Sequence, residues 1–162
     1  MTWHERQYEK RDILGLASFG FFLLLIGVIW IITPNLHQKI IDFFNDFKRT
    51  EEVFPNVFLP APEHLERHTE VYTALARFCF VFGLFQIVIL VLRLFLREPP
   101  DRIAGTFSGM VFWLGASFVS NLLADRAVDW FGFVGWIIVL IGLALVVRSL
   151  LVLLFEVALR KG

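Results

Sequence analysis

Four long apolar segments dominate this chain, and its charged residues lie mostly in the short stretches between them. The segments cover about residues 13–32, 74–96, 103–124 and 130–155. A helix of about 20 apolar residues crosses the ~30 Å hydrocarbon layer, so each segment is long enough to span a bilayer. The runs are continuous rather than alternating, which favours helices over a β-barrel. The sequence therefore predicts an all-α integral membrane four-helix bundle, with all 162 residues in one membrane domain.

Composition agrees with this interpretation and excludes several other classes. Hydrophobic residues make up 57% of the chain and charged residues only 19%. The formal net charge is zero, so no nucleic-acid partner is expected. The single cysteine, Cys79, excludes an intramolecular disulfide and a cysteine-based zinc or iron–sulfur site built from one chain. The expected partners are the lipid bilayer and other membrane chains, and no cofactor is expected.

The distribution of lysine and arginine predicts the orientation. One side of the predicted bundle carries basic residues in short segments next to the span ends: Arg6, Lys10, Arg11, Arg97, Arg102, Arg160 and Lys161. By the positive-inside rule, both termini should be cytoplasmic and the protein should be a multi-pass protein of the cell membrane. The first apolar run is too long for a typical signal peptide and lacks a small-x-small cleavage site, so it should be a retained span.

The predicted outer loop, residues 34–69, contains an amphipathic segment at residues 35–49. Its apolar face is formed by Leu36, Ile40, Phe43, Phe44 and Phe47. Thr33 is suited to cap such a helix and Pro34 to occupy its first position. The pattern predicts an interfacial helix that lies on the bilayer or packs on the bundle, and the alternative is a lid over a pore mouth.

The rest of this loop is rich in proline. Three prolines in residues 53–62 predict an extended connector, because proline breaks helices and biases the preceding residue towards extended backbone. Pro62 could then begin a helix that continues unbroken to Arg97.

Two histidines in the same loop, His64 and His68, are four residues apart and share one face of that predicted helix. Such a pair can bind zinc or copper, but its order is H-L-E-R-H rather than H-E-x-x-H. Two ligands without a third do not make a stable zinc site, so the sequence predicts no structural metal site here.

Polar residues inside the predicted spans are the main functional candidates, because they are costly in lipid. They are Gln86 near the middle of the second span, and Ser117, Ser120 and Asn121 in the third. Gln86 should face protein or a water-filled cavity, with Ser117 as the nearest polar partner across an antiparallel hairpin. A role in fixing the rotation of the second helix is favoured over a transport site.

Charged and small residues complete the set of candidates. Arg77, Arg93 and Arg148 lie near span ends and are expected to extend to the headgroups, and the alternative is that they line an anion path. Small residues in the first, third and fourth spans, chiefly glycines but also Ala116, Ser117 and Ser120, are expected to pack the four helices against one another.

The sequence leaves two functional hypotheses open. It contains no G-x-G-x-x-G motif, phosphate-binding loop, Ser/His/Asp set or paired intramembrane carboxylates, so an enzyme is not expected. The first hypothesis is a non-catalytic membrane protein that acts by helix association, as a homo-oligomer or as a small subunit of a larger complex. The second is a small oligomeric channel or transporter lined by the third helix.

Overall fold

The computed structural model describes the backbone of residues 3–47, 49–54 and 57–161, and the side-chain surroundings of residues 14–47 and 59–157. This part of the chain contains five α-helices: α1 (Trp3–Ile32), α2 (Leu36–Asp46), α3 (Thr69–Phe95), α4 (Pro100–Ala124) and α5 (Trp130–Lys161). Strands β1 (Arg49–Phe54) and β2 (Val57–Ala61) form an antiparallel hairpin between α2 and α3. Among the described helices, α1, α3, α4 and α5 are long and apolar enough to cross a membrane, as predicted.

The four long helices pack as successive antiparallel neighbours. The closest association is between α3 and α4, followed by α4 with α5, whereas α1 packs chiefly on α3. One end of the bundle, here called the α2 end, carries α2, the hairpin and the α4–α5 turn. The terminal end carries both chain termini and the α3–α4 turn. Which end faces the cytoplasm remains a prediction from the basic residues.

Aromatic rings join α1 to the α3–α4 pair. Phe21 stacks on Phe85 with ring centroids 3.9 Å apart. Phe82 of α3 lies at the centre, with its ring 5.6 Å from that of Phe22 and 5.0 Å from that of Trp113. Offset and edge-to-face ring contacts of this kind add to the area that aromatic side chains bury. They fix α1 at the level of the middle of α3.

Two glycines allow the long helices to approach closely. A methyl carbon added at Gly83 would lie 2.6 Å from Leu114 Cδ2, and one added at Gly115 would lie 2.5 Å from Leu140 Cδ2. The predicted small-residue stripes are different, because an added carbon would meet nothing within 4 Å at Gly15, Gly20, Gly27, Gly105, Gly109, Gly135 and Gly142. The expectation that small residues pack the helices against one another is therefore wrong for these seven glycines, but it holds for Gly115, Ala116, Ser117 and Ser120 of α4, which pack within the chain.

Helices α3 and α4 end in the same way, each at a tight turn that leads into the next long helix. Arg97 after α3 and Arg126 after α4 adopt the left-handed conformation, with φ of 50° and 58°. The next residue in each turn donates its backbone N–H back into the helix, as when Ala127 bonds the Leu122 carbonyl at 2.8 Å. This Schellman pattern satisfies the last carbonyls of a helix and reverses the chain. It sets the register of α3 against α4.

The predicted outer loop differs from its sequence interpretation. α2 begins at Leu36, with Asn35 in the left-handed conformation before it (φ 55°), rather than being capped by Thr33. It ends at Asp46, because Arg49 already pairs with Ala61 in the hairpin. The predicted amphipathic helix over 35–49 was therefore too long.

The proline-rich segment is also more ordered than an extended connector. Its residues 53, 54 and 57–61 are extended but belong to β1 and β2, while Pro55 and Asn56 lie outside the described residues. A 3-10 turn at Leu65–His68 precedes α3, which begins at Thr69. The unbroken helix predicted from Pro62 is therefore wrong.

α2 packs on the bundle through only part of its predicted apolar face. Leu36 is buried, and the Phe43 ring lies edge-on to those of Tyr72 and Trp130, at 5.8 Å and 5.9 Å. The Phe44 side chain is not covered by the bundle and is 69% exposed on the protein surface. Consecutive side chains of a helix point in directions about 100° apart, so Phe43 and Phe44 lie on different faces of α2.

Candidate functional site

The hydroxyl groups of α4 lie inside the chain. Ser117 is 4% exposed and Ser120 is 1% exposed. Ser117 Oγ donates to the Ala76 carbonyl of α3 at 2.9 Å, whereas the Ser120 hydroxyl has no hydrogen-bond partner among the described residues. Asn121 is exposed, and its Nδ2 donates to the Ser117 carbonyl at 3.0 Å. Two of the three predicted polar candidates of this helix are therefore core residues.

Gln86 does not pair with Ser117, so that expectation is wrong. Ser117 bonds at the level of Ala76, and Gln86 lies ten residues further along α3, about 15 Å away at the helical rise. The contact of Phe82 with Trp113 places Gln86, one turn later, near Gly109. Gln86 is partly exposed, and no described residue forms a hydrogen bond with its side chain.

Two of the three boundary arginines have partners within the chain. Arg93 Nη1 donates to the Arg102 carbonyl at 3.1 Å and lies 3.7 Å from Glu98 Oε2. Arg148 Nη2 donates to Asp101 Oδ1 at 2.9 Å. Both carboxylates lie at the α3–α4 turn, so these arginines fasten the terminal end of the bundle. Arg77 is exposed on α3.

The densest group of chemically active side chains lies at the α2 end. Asp46 Oδ2 accepts the backbone N–H of His64 at 2.7 Å and lies 3.0 Å from His68 Nε2. The backbone N–H of Glu63 donates to the Asp46 carbonyl at 3.3 Å. We call these four residues, Asp46, Glu63, His64 and His68, the Asp46 cluster. It borders a surface cavity of about 480 Å³, which is also lined by Lys39, Asp42, Asn45 and Arg67.

The electrostatics of the cluster keep Asp46 ionised. Burial opposes its charge, but hydrogen bonds from the His64 backbone and the His68 ring, together with the charges of both rings, outweigh burial and lower the pKa of Asp46 below its ordinary 3.8. A lowered pKa means that this carboxylate stabilises the fold above pH 3.8 and that its contribution is lost as the pH falls further. Asp46 is therefore an anion at neutral pH.

Known proteins give no guide to this site. Comparison with protein-family models, with curated proteins and with solved structures finds no match to this chain.

Sequence reasoning found both histidines of the cluster but missed Asp46. Asp46 is 18 residues before His64 and 22 before His68, and only the hairpin brings them together. Its position could have been inferred only from the hairpin that follows it: Asp46 ends α2, and strands β1 and β2 then bring the chain back beside the end of α2. His68 lies in the 3-10 turn rather than on the predicted helix, and its side chain is buried against Phe43, with ring centroids 5.3 Å apart.

Proposed function

We propose that this protein is a non-catalytic, multi-pass membrane protein that acts through helix association, as a homo-oligomer or as a small subunit of a membrane complex. The observation that carries this proposal is the Gln86 amide, which lies near the middle of a candidate membrane-spanning helix and has no hydrogen-bond partner among the residues that the structure describes. The amide has two N–H donors and an acceptor oxygen. Leaving these groups without partners in hydrocarbon costs roughly several kcal/mol. A hydrogen bond from a polar group of a neighbouring chain would therefore stabilise the protein in the membrane.

The open glycine faces of α1 and α5 support the same proposal. Gly20 and Gly27 on α1, and Gly135 and Gly142 on α5, meet no atoms that would obstruct a close neighbour. Small residues are typical of helix–helix interfaces in membranes because they let two backbones approach. Most of the α5 surface is also uncovered by the rest of the chain.

The alternative is a small oligomeric channel or transporter lined by α4. That function needs polar groups around a water-filled path. The hydroxyls of Ser117 and Ser120 lie instead against α3 or within the core, which favours association over permeation.

A substitution at Gln86 tests the proposal. We expect Gln86→Leu to leave the monomer folded but to weaken self-association about 3- to 30-fold, because interhelical polar contacts contribute about 0.6 kcal/mol on average and at most about 2. Subunit counting by single-molecule photobleaching in liposomes, over a series of protein-to-lipid ratios, measures the association constant. Gln86→Asn keeps the amide and should retain part of the affinity, and Val88→Leu, which changes a lipid-exposed position of the same helix, should retain all of it.

Two outcomes of this experiment would count against the proposal. A wild-type protein that remains monomeric at every protein-to-lipid ratio contradicts the homo-oligomer and leaves only the subunit hypothesis. Equal association of the wild type and Gln86→Leu removes Gln86 from the interface.

A further inference from the structure

We propose that the Asp46 cluster binds one divalent transition-metal ion of the zinc type through Asp46, Glu63 and His64, with His68 orienting the Asp46 carboxylate. The candidate ligand atoms of these three residues all lie within 4.8 Å of one another. With metal–ligand bonds of about 2.1 Å in a tetrahedral site, two ligand atoms are about 3.4 Å apart, so the most widely separated pair needs to close by about 1.4 Å, or about 0.7 Å for each side chain. A side-chain rotation can supply a movement of this size, so the backbone need not shift.

The ligand set fits this class of ion. One imidazole and two carboxylates, completed by water, make a four-coordinate site of the kind that zinc occupies. Magnesium and calcium favour all-oxygen sites, so the imidazole of His64 selects against them. The sequence places Glu63 next to His64, and the fold adds the Asp46 carboxylate from the other side of the hairpin.

A second layer of contacts supports the proposed ligands. The side chain of His68 is 6% exposed, and its Nε2 lies 3.0 Å from Asp46 Oδ2. A buried imidazole in this position fixes the rotation of the carboxylate, as the outer-shell partners of metal ligands do. Glu66 Oε1 lies 3.4 Å from His64 Nδ1 and is a further carboxylate beside the same ring.

A buried hydroxyl group next to the cluster also lacks a hydrogen-bond partner among the described residues. The hydroxyl of Tyr72, which is 3% exposed, has no hydrogen-bond partner among the described residues. The Phe43 ring lies 5.8 Å from the Tyr72 ring and 5.3 Å from the His68 ring, which places Tyr72 beside the cluster. A metal-bound water at the cluster would be a natural partner for such a hydroxyl.

The basic residues that line the cavity do not prevent binding. Lys39 forms an ion pair with Glu70 of α3, so its charge is already balanced. Arg67 lines the same cavity as three acidic residues, Asp42, Asp46 and Glu63. An additional cation is therefore compatible with the charges around the site. It would join the end of α2 to the segment that enters α3.

Zinc binding to the purified protein in nanodiscs tests the inference. We expect about one Zn²⁺ per chain after removal of bound metal with a chelator and titration by calorimetry. Glu63→Gln and His64→Ala should weaken binding at least about tenfold, and His68→Ala should weaken it about 10- to 100-fold as an outer-shell change does. His37→Ala is the matched control, because His37 lies on the same α2 helix but stacks on Trp30 outside the cluster. Affinity should fall on acidification, since the ligands must be deprotonated.

Two results would overturn the proposal. The first is a wild-type protein that binds no Zn²⁺ in the titration. The second is stoichiometric binding that Glu63→Gln and His64→Ala leave unchanged, which would place the metal elsewhere. Asp46→Asn guards against a folding artefact, because its amide oxygen still accepts the His64 N–H while its charge is lost. It should reduce zinc affinity without changing the circular dichroism spectrum.

Discussion

Replacing Gly83 with leucine is expected to separate α3 from α4 and to lower the free energy of unfolding by about 3 kcal/mol or more. Even a single added carbon at this position would lie 2.6 Å from Leu114 Cδ2 and 3.2 Å from the Leu114 backbone nitrogen. The side chain can rotate away, but the backbone of α4 can yield only by moving the helix. The α3–α4 contact is the largest in the bundle, so such a movement disturbs the whole fold.

Alanine provides the matched comparison for this prediction. Gly83→Ala should cost about 1–3 kcal/mol through overpacking, partly offset by better helix propensity. Gly109→Ala on α4 meets nothing within 4 Å and should be neutral or stabilising by up to about 1 kcal/mol. Unfolding free energies measured by steric trapping in bicelles would separate the two. Equal effects of the two alanine variants would show that Gly83 does not mark a close helix contact.

The second large effect is expected at Glu98. Its side chain is 10% exposed and lies between two guanidinium groups, 3.7 Å from Arg93 and 3.9 Å from Arg102. Glu98→Ala leaves both cations without this carboxylate, and removal of one partner from a buried ion pair costs about 3–5 kcal/mol. Because the two arginine side chains are 19% and 32% exposed, solvent screens part of this cost, and about 2 kcal/mol is expected.

An exposed ion pair at the same turn is the control for Glu98. Asp101 and Arg148 are bonded at 2.9 Å, but their side chains are 63% and 48% exposed. Asp101→Asn should therefore cost less than about 1 kcal/mol, including its favourable position in the first turn of α4. Steric trapping under the same conditions measures both variants. If Asp101→Asn cost as much as Glu98→Ala, burial would not be what makes the Glu98 network important.

Length and hydropathy were enough to predict the four spans. The predicted second span ended at residue 96 and the predicted third began at 103, against helix ends at Phe95 and Pro100. The length and hydropathy of a segment can be compared with the thickness of the bilayer without knowing which segments pack together. Helices also extend beyond the apolar segments, as α1 does before residue 13 and α5 does after residue 155.

The contacts between distant segments could not be predicted in this way. Which glycines pack depends on the rotation of each helix, and the open stripes looked as suitable as Gly83. The Ser117 partner was wrong because the α3–α4 register follows from the left-handed turn at Arg97, which no hydrophobic pattern reveals. Asp46 was missed because a hairpin between the helices brings it to the histidines.

Thiol labelling of α4 in reconstituted protein tests most directly whether the protein associates through dry helices or forms a pore. Cysteine is introduced at Ser117 or Ser120 in a Cys79→Ala background, with Asp125→Cys in the exposed α4–α5 turn as the positive control. The proposed function predicts that a membrane-impermeant, water-soluble thiol reagent modifies Asp125→Cys within minutes but leaves the two buried positions unmodified in the oligomer. Rapid modification of Ser117→Cys and Ser120→Cys, with a matching change in ion flux, would contradict it and identify α4 as the lining of a channel.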